Sequence, residues 1–193
     1  MVTVMDMDEA QKTALARIRL VAFDVDGVLT DGRLYYSGDG EMKKVFHVRD
    51  GVGLKLLPDM GIDVAVISAK DSPPLQARLS DLGIKYGFPG CHDKLACLKT
   101  LVSTLGLIPD EVAFVGDDLV DLHVMEWCGY GIAPADAFDL VLERADLVLP
   151  VKGGQGVARC VADLVLKAQG LYETAYNVAS LPHFERQRSP DSP

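Results

Sequence analysis

One stretch of the sequence decides the fold: Leu20-Val21-Ala22-Phe23-Asp24-Val25-Asp26-Gly27-Val28-Leu29-Thr30-Asp31-Gly32. Its first four residues are apolar without any polar alternation, which is typical of a strand buried on both faces of a parallel sheet. Gly27 allows a sharp turn where this strand ends. Because ligands bind at the carboxyl ends of strands in open α/β sheets, we expect Asp24 and Asp26 to line a binding site there.

Asp24 and Asp26 place two carboxylates one residue apart in the sequence. Carboxylates held close together repel each other, so either one of them takes up a proton or a cation lies between them. A hard divalent cation with oxygen ligands, Mg²⁺ above all, meets this need. Taken alone, the pair is also compatible with two solvated aspartates that cap a turn or a helix. Other motifs in the chain are needed to distinguish a metal site from such caps.

Length and composition limit the classes of protein to which the chain can belong. With 193 residues, of which 49% are hydrophobic, it is long enough for one α/β domain with a full core, which we expect over residues 1–180. The formal net charge of −9 argues against nucleic acid or an anionic membrane as a partner, because both require a basic face. The apolar runs are all well short of the roughly 20 residues that cross a bilayer.

The cysteines indicate the compartment. They show no Cys-x-x-Cys spacing typical of a metal or redox site, and the sequence shows no signal peptide. We therefore predict a cytoplasmic protein whose cysteines are reduced thiols: Cys91, Cys97, Cys128 and Cys160.

Apolar runs alternate with amphipathic segments along the chain, which predicts a doubly wound parallel sheet. The predicted strands cover 20–23, 64–67, 85–88, 111–115, 129–132 and 146–149. The predicted helices cover 10–18, 50–60, 73–82, 93–105, 119–127 and 157–169, with a helical turn at 136–143. Ser72 is the expected N-cap of the third helix. We expect the polar tail 181–193 to be disordered.

A β-hairpin interrupts this alternation directly after the aspartate pair. The turn sequence Ser37-Gly38-Asp39-Gly40 lies between two β-prone runs, so residues 33–48 are predicted to form two antiparallel strands. This insertion is too short for a cap domain. Its apolar residues would be exposed in an isolated hairpin, which favours burial against further copies of the chain: Leu34, Tyr36, Val45 and Phe46.

Polar side chains also follow two further predicted strands, and a parallel sheet brings these ends to one edge. Ser68 ends the second strand, where a hydroxyl and backbone N–H groups can bind phosphate. Asp117 and Asp121 lie four residues apart at the start of a helix and can share one face. Lys94 lies in the first turn of another helix, where it opposes the helix dipole; a charge directed at a phosphate would explain this. Taken singly, these residues are also compatible with ordinary turn, surface and capping roles.

The joint order of these motifs resembles the haloacid dehalogenase superfamily of aspartate-nucleophile phosphohydrolases. Within it, the chain resembles the 3-deoxy-D-manno-octulosonate 8-phosphate (KDO 8-phosphate) phosphatase family over roughly residues 18–170. This resemblance implies a Rossmann-like haloacid dehalogenase fold without a cap domain, and a Mg²⁺-dependent phosphatase. The segments that carry it are Phe46-His47-Val48-Arg49-Asp50-Gly51-Val52-Gly53, Ser68-Ala69-Lys70-Asp71-Ser72, Gly116-Asp117-Asp118-Leu119-Val120-Asp121-Leu122 and Gly153-Gly154-Gln155-Gly156-Val157-Ala158-Arg159.

The resemblance also implies roles for the site residues. Asp24 would be the nucleophile and form an aspartyl-phosphate, while Asp26 would protonate the leaving alkoxide and then activate water. Asp24, the backbone carbonyl of Asp26, and Asp117 would hold Mg²⁺, which lets one anion attack another. Ser68 and Lys94 would bind the phosphoryl oxygens.

Further residues would complete this site. Asp118 and Asp121 would support the metal. Arg49 and Lys70 are candidates for binding the carboxylate of a sugar acid. The predicted substrate-binding residues are Arg49, Ser68, Ala69, Lys70 and Lys94.

The sequence leaves the identity of the substrate open. Ala69-Lys70 stands where the family usually has Gly-Arg, and lysine cannot bind the carboxylate of a sugar acid with the bidentate geometry of arginine. The alternatives are KDO 8-phosphate, a nine-carbon sialic-acid-type 9-phosphate, and a non-catalytic oligomerisation module of the same fold. Such a module would be expected to have lost Asp24 or Asp26. The family forms tetramers through the hairpin, so we predict a homotetramer in which a neighbour completes each site. The segment 152–156 and the tail are expected to close over the substrate.

Overall fold

The computed structural model describes residues 7–181 and residue 184. Over these residues the chain forms a six-stranded parallel sheet covered by helices on both faces, together with a separate two-stranded antiparallel hairpin. The predicted doubly wound α/β fold with an inserted hairpin is therefore confirmed. Most of the tail 181–193, which we expect to be disordered, lies outside the described residues.

The elements follow one another in the order that the sequence predicts. The strands are β1 (Leu20–Phe23), β2 (Tyr35–Ser37), β3 (Gly40–Lys43), β4 (Asp63–Ser68), β5 (Tyr86–Pro89), β6 (Val112–Val115), β7 (Tyr130–Ala133) and β8 (Leu147–Val148). The helices are α1 (Glu9–Leu15), α2 (Val48–Asp59), α3 (Pro73–Leu82), α4 (Lys94–Leu105), α5 (Leu122–Trp127), α6 (Asp139–Arg144), α7 (Val157–Ala168) and α8 (Tyr172–Ala179). Among the described residues, no helix combines the length and the apolarity needed to cross a bilayer.

The order of the strands in the sheet determines where a ligand can bind. This order is β5-β4-β1-β6-β7-β8, and every pairing is parallel. The chain runs outward from β1 through β4 to β5, then crosses back and continues on the other side through β6. This reversal makes the crevice between β1 and β6 the topological switch point, where open α/β sheets bind ligands. Phe23 pairs with Val115, so β1 and β6 end at the same level, and β4 runs two residues beyond the partner of Phe23, Val66, to Ser68.

Alternating side chains of the sheet fill two separate cores. Val21 and Phe23 of β1 belong to the core that α2 and α7 cover, whereas Leu20 and Ala22 belong to the core covered by α4 and α5. All four side chains are fully buried. A strand that contributes to two cores needs apolar residues on both faces, which explains the uninterrupted apolar run.

Some predicted boundaries differ from the structure. Helix α2 begins at Val48 rather than Asp50, because the side chain of His47 accepts a hydrogen bond from the backbone N–H of Arg49 at 3.2 Å. Ser72 is the N-cap residue of α3, as predicted, although its hydroxyl makes no capping hydrogen bond. The following prolines contribute to this, since Pro74 has no N–H to donate. Helix α8 is absent from the predicted elements.

Helices α2 and α7 are joined by one buried carboxylate and one glycine. Asp50 Oδ1 accepts a hydrogen bond at 2.9 Å from the backbone N–H of Arg159, in the first turn of α7. It satisfies a helix N-terminus whose own N-cap residue, Gly156, provides no side chain. Gly53 permits the close approach, because a Cβ atom there would lie 2.8 Å from the carbonyl oxygen of Ala158.

Replacing Gly53 by alanine is expected to lower the free energy of unfolding by about 1–3 kcal/mol, because the methyl group overpacks the contact between α2 and α7. Alanine is otherwise favoured over glycine inside a helix by about 1 kcal/mol, so a net loss reports the clash. Urea unfolding measures the effect. Gly38→Ala is the control, since a Cβ atom at Gly38 meets no atom within 4 Å. A Gly53→Ala protein as stable as the wild type would contradict this packing.

Candidate active site

Four predicted site residues converge at the switch point. Asp24 directly follows β1, Asp117 lies two residues after β6, and Ser68 is the last residue of β4. Lys94 is the first residue of α4 and reaches Asp24 with its side chain. Because β4, β1 and β6 are neighbours in the sheet, their carboxyl ends form one continuous edge, as the sequence predicts.

A buried lysine forms the centre of this site. Its Nζ lies 2.7 Å from Oδ1 of Asp24 and 2.6 Å from Oδ1 of Asp121. All three residues are buried, with 5%, 6% and 0% exposure for Lys94, Asp24 and Asp121. Burial lowers the pKa of the Lys94 ammonium, but the two carboxylates outweigh it and leave this pKa above its usual value. Lys94 is therefore a fixed positive charge between two aspartates.

Asp121 is occupied by protein groups on both of its oxygens. Oδ1 binds Lys94, and Oδ2 accepts the backbone N–H groups of Asp117 at 3.1 Å and Asp118 at 3.4 Å. Asp121 thereby shapes the loop after β6 and orients Lys94. Asp118 is exposed, and its Oδ1 accepts the N–H of Leu119 at 2.7 Å, so its side chain caps the next turn.

Asp117 contrasts with Asp121, because its Oδ1 is buried without a hydrogen-bond partner among the described residues. Burial, followed by the charges of Asp24 and Asp121, raises the pKa of the Asp117 carboxyl to about 8. Burial and the charge of Asp121 also raise the pKa of Asp24, although Lys94 opposes this shift. Both carboxyl groups would be stabilised in their ionised form by a cation bound between them.

The geometry fits such a cation. One oxygen each from Asp24, Asp117 and Asp121 lies within 4.8 Å of the others. Since both oxygens of Asp121 are already occupied, Asp24 and Asp117 are the members of this group best able to bind a metal. Carboxylate oxygens suit a hard divalent cation such as Mg²⁺. Gly27, with a φ of +90°, leaves space for the carboxylate of Asp117, because a Cβ atom at Gly27 would lie 1.9 Å from Asp117 Oδ2.

Asp26 is held by residues outside β1. Thr30 Oγ1 donates to Asp26 Oδ1 at 3.5 Å, and Lys44 Nζ forms an ion pair with the same oxygen. Sequence reasoning missed Lys44, because it lies 18 residues from Asp26 and only the folded hairpin brings the two side chains together. The signal available was a pair of lysines in a hairpin predicted to follow the site directly.

The predicted substrate-binding residues are divided between the site and the surface. Ser68 is 2% exposed, and its hydroxyl accepts the backbone N–H of Lys70 at 3.2 Å. Lys70 Nζ donates to the hydroxyl of Tyr36 at 2.9 Å and so reaches the hairpin. Ala69 is exposed beside them, and Arg49 is exposed in the first turn of α2. Ser68 thus lies buried at the end of β4, Lys70 contacts the hairpin, and Ala69 and Arg49 lie at the surface of the single chain.

The glycine-rich segment 152–156 packs against the loop that follows β1, rather than standing free above the site. The N–H of Gly154 donates to the carbonyl oxygen of Val28 at 2.9 Å. A Cβ atom at Gly153 would lie 2.0 Å from the carbonyl oxygen of Gly27, so the two backbones require glycine here. The segment therefore fixes the loop that carries Asp26.

The raised pKa values determine how the stability of the metal-free protein depends on pH. A carboxyl whose pKa rises from 3.8 to about 8 on folding makes the folded state bind more protons, so the free energy of unfolding falls as pH rises between these values. In Asp117→Asn this decrease is expected to be smaller. Urea unfolding in EDTA at pH 5 and pH 8 measures it, with Asp39→Asn in the hairpin turn as a control. Equal decreases in Asp117→Asn and the wild type would contradict the assignment.

Comparisons with known proteins identify the family. A family model described as haloacid dehalogenase-like hydrolase matches residues 88–161. The 3-deoxy-D-manno-octulosonate 8-phosphate phosphatase of Haemophilus influenzae is 46% identical to this chain over 164 residues, which cover 83% of this chain and 91% of that protein.

Solved structures agree with this match over most of the fold. A cobalt-bound deoxy-D-mannose-octulosonate 8-phosphate phosphatase from Haemophilus influenzae is 43% identical, with a TM-score of 0.81, covering 85% of this chain and 99% of that chain. A 3-deoxy-D-manno-octulosonate 8-phosphate phosphatase from Moraxella catarrhalis, in complex with magnesium ion, phosphate ion and KDO, is 34% identical, with a TM-score of 0.85, covering 89% and 98%. The chain therefore belongs to the 3-deoxy-D-manno-octulosonate 8-phosphate phosphatase family of haloacid dehalogenase-like hydrolases and is a phosphoric monoester hydrolase.

Proposed function

We propose that the protein hydrolyses KDO 8-phosphate to the free sugar acid and inorganic phosphate, with Asp24 as nucleophile and Mg²⁺ as cofactor. The observation that carries this proposal is the group formed by buried Asp24 and Lys94 with half-buried Asp117 at the carboxyl ends of β1 and β6, in a chain of this family. A carboxylate beside a fixed lysine and a cation site supplies a nucleophile together with positive charge for a phosphoryl group.

Each step of the reaction is assigned to a side chain. A carboxylate oxygen of Asp24 attacks phosphorus, and the bond from phosphorus to the sugar oxygen breaks as Asp26 gives that oxygen a proton. Water then attacks the aspartyl-phosphate while Asp26 takes a proton from it, which releases phosphate and restores both aspartates. Lys94 and Ser68 bind the non-bridging phosphoryl oxygens.

Mg²⁺ is assigned to Asp24, Asp117 and the backbone carbonyl of Asp26. When bound, it neutralises charge on the carboxylate and on the phosphoryl group. The unpartnered Oδ1 of Asp117 and the raised pKa values of Asp24 and Asp117 support this ligand set. The relatives with bound cobalt and magnesium support a divalent cation.

Recognition of the sugar acid is assigned to Lys70, because the substrate carries a carboxylate in addition to its phosphate. The ammonium of Lys70 lies 4.9 Å from the centre of the Tyr36 ring and donates to its hydroxyl, which fixes this cation against the hairpin. A lysine binds a carboxylate without the bidentate geometry of arginine. For this reason a nine-carbon sialic-acid-type 9-phosphate stays a second candidate substrate.

Steady-state phosphate release separates the candidate substrates. With Mg²⁺ present, kcat/KM for KDO 8-phosphate is expected to exceed that for the nine-carbon 9-phosphate by about 10-fold or more, in the range that one carbon unit allows. A reversed preference would overturn the KDO assignment alone. Failure to hydrolyse either ester would overturn the proposed function.

Two substitutions test the assigned mechanism. Asp24→Asn is expected to abolish turnover, because an amide cannot attack phosphorus, and Asp26→Asn to lower kcat by about 10²-fold or more. Acid-quenched intact-mass measurements are expected to detect phosphorylated wild-type protein and none for Asp24→Asn. Melting temperatures control for folding. If Asp24→Asn turned over substrate at the wild-type rate, or if the wild-type protein kept full activity in EDTA, the assigned mechanism would be wrong.

We also propose a homotetramer assembled through the hairpins. In the single chain Leu34, Tyr36 and Val45 are 51%, 60% and 57% exposed, and Val48 at the start of α2 is 75% exposed. Contiguous exposed apolar side chains mark interaction surfaces, and an isolated two-stranded hairpin is only marginally stable. A copy packed against this surface would lie close to the site, where exposed Arg49 is available to a substrate bound by its neighbour.

Val45→Lys is expected to dissociate the tetramer and to lower activity on the sugar phosphate, because it places a charge in the apolar contact. Light scattering at the assay concentration measures the mass. Ile108→Lys is a matched control, since Ile108 is also 57% exposed. It lies before β6, at the amino-terminal ends of the strands, whereas the site lies at their carboxyl ends. A fully active wild-type monomer would rule out the assembly.

A further inference from the structure

Lys44, which follows β3 at the end of the hairpin, has no task in the reaction assigned above. We propose that Lys44 is a positioning residue that fixes the carboxyl group of Asp26 so that it meets the ester oxygen of the substrate. The inference rests on the proposed function, because it gives Lys44 a task in the leaving-group step of that reaction.

The side chain of Lys44 is built into the site. Only 1% of it is exposed, whereas 29% of its partner Asp26 is exposed. Removing an ammonium group from water is strongly unfavourable unless a carboxylate balances it. The ion pair therefore fixes the buried ammonium of Lys44 at Asp26 and leaves part of the Asp26 side chain exposed.

The contacts to Asp26 are one-sided. Both hydrogen bonds that described residues make to its carboxyl group end on Oδ1, from Lys44 Nζ and from Thr30 Oγ1. Thr30 is 2% exposed, and its Oγ1 also lies 3.3 Å from the carbonyl oxygen of Val25. Anchoring one oxygen in this way limits rotation of the carboxyl group and leaves Oδ2 for the substrate.

The hairpin is attached to the site at two points. Lys44 binds Asp26 in the loop after β1, and Tyr36 of β2 accepts a hydrogen bond from Lys70 in the loop after β4. Lys43, the last residue of β3 and the neighbour of Lys44, is exposed. The position of the hairpin is thereby linked to the orientation of Asp26.

A carboxyl group held for proton donation matters only for leaving groups that need a proton. When the phosphorus–oxygen bond breaks, the electron pair stays on the leaving oxygen and the proton of Asp26 passes to it. A sugar alkoxide is a strong base and requires this proton, whereas p-nitrophenolate is a weak base and leaves without it. Misalignment of Asp26 should therefore slow hydrolysis of the sugar phosphate far more than hydrolysis of p-nitrophenyl phosphate.

Lys44→Met removes the ammonium group and keeps an apolar stem. We expect kcat/KM for KDO 8-phosphate to fall about 10- to 100-fold, which is part of the ~10²–10⁴ that a general acid contributes. For p-nitrophenyl phosphate we expect a change of less than about 3-fold. The ratio kcat/KM is the right measure, since it reports steps up to phosphoryl transfer and not the later hydrolysis. Lys43→Met, which removes the neighbouring exposed lysine, is expected to match the wild type on both esters.

A double-mutant cycle tests whether Lys44 acts through Asp26. In the Asp26→Asn protein the acid is already absent, so adding Lys44→Met should lower kcat/KM for the sugar phosphate by less than about 3-fold further. Equal losses in both backgrounds, or on both esters, would overturn the positioning role and indicate that Lys44 contacts the phosphoryl group itself.

Melting temperatures show whether Lys44→Met folds. If it does not, Lys44→Arg and Lys44→Gln are compared on the same two esters. Lys44→Arg is expected to retain the higher activity on the sugar phosphate, because it keeps a cation beside Asp26. Equal activities of these two variants would overturn the inference. A wild-type protein inactive on both sugar phosphates would overturn the proposed function instead.

Discussion

The ion pair between the buried ammonium of Lys94 and Asp24 is the interaction on which the rest of the site depends. The same nitrogen binds Asp121, which holds the backbone N–H of Asp117, so one cation links α4 to the ends of β1 and β6. Burying carboxylates together without a compensating charge is strongly unfavourable. Asp24, the proposed nucleophile, and Asp117, the candidate metal ligand, therefore take their positions from a residue outside the sheet.

One lysine does not balance the charge of this site. With Asp24, Asp117 and Asp121 near a single ammonium, negative charge remains. Burial, followed by the charges of Asp24 and Asp121, raises the pKa of Asp117 to about 8. The protein as a whole carries a net charge of −9, which repels a phosphate ester. Binding an anionic substrate therefore requires positive charge at the site itself, which Lys94 and the proposed divalent cation would supply.

The parts of the site that the sequence predicts are those encoded by local pattern. The uninterrupted apolar run of β1 and its abrupt end at Asp24 identify strand and site together, and the same holds for Asp117 after β6. The missed features depend on tertiary contacts instead. Lys44 meets Asp26 only across a closed hairpin, and the bond from Asp50 to Arg159 joins residues 109 positions apart. Their residue types are ordinary for surface positions, so no local signal distinguishes them.

The hairpin has two sides with different chemistry, and this connects assembly with catalysis. Towards the site it presents the ammonium of Lys44 and the hydroxyl of Tyr36, which contact Asp26 and Lys70. Its remaining surface exposes Leu34 and Val45. A phosphoryl site must be shielded from bulk water, and among the described residues the hairpin contacts the loops after β1 and β4 that border the site. Since two strands alone are marginally stable, a neighbour that covered the apolar surface in the proposed tetramer would also stabilise the contact between Lys44 and Asp26. Oligomer formation would then act on the leaving-group step through the carboxyl group of Asp26.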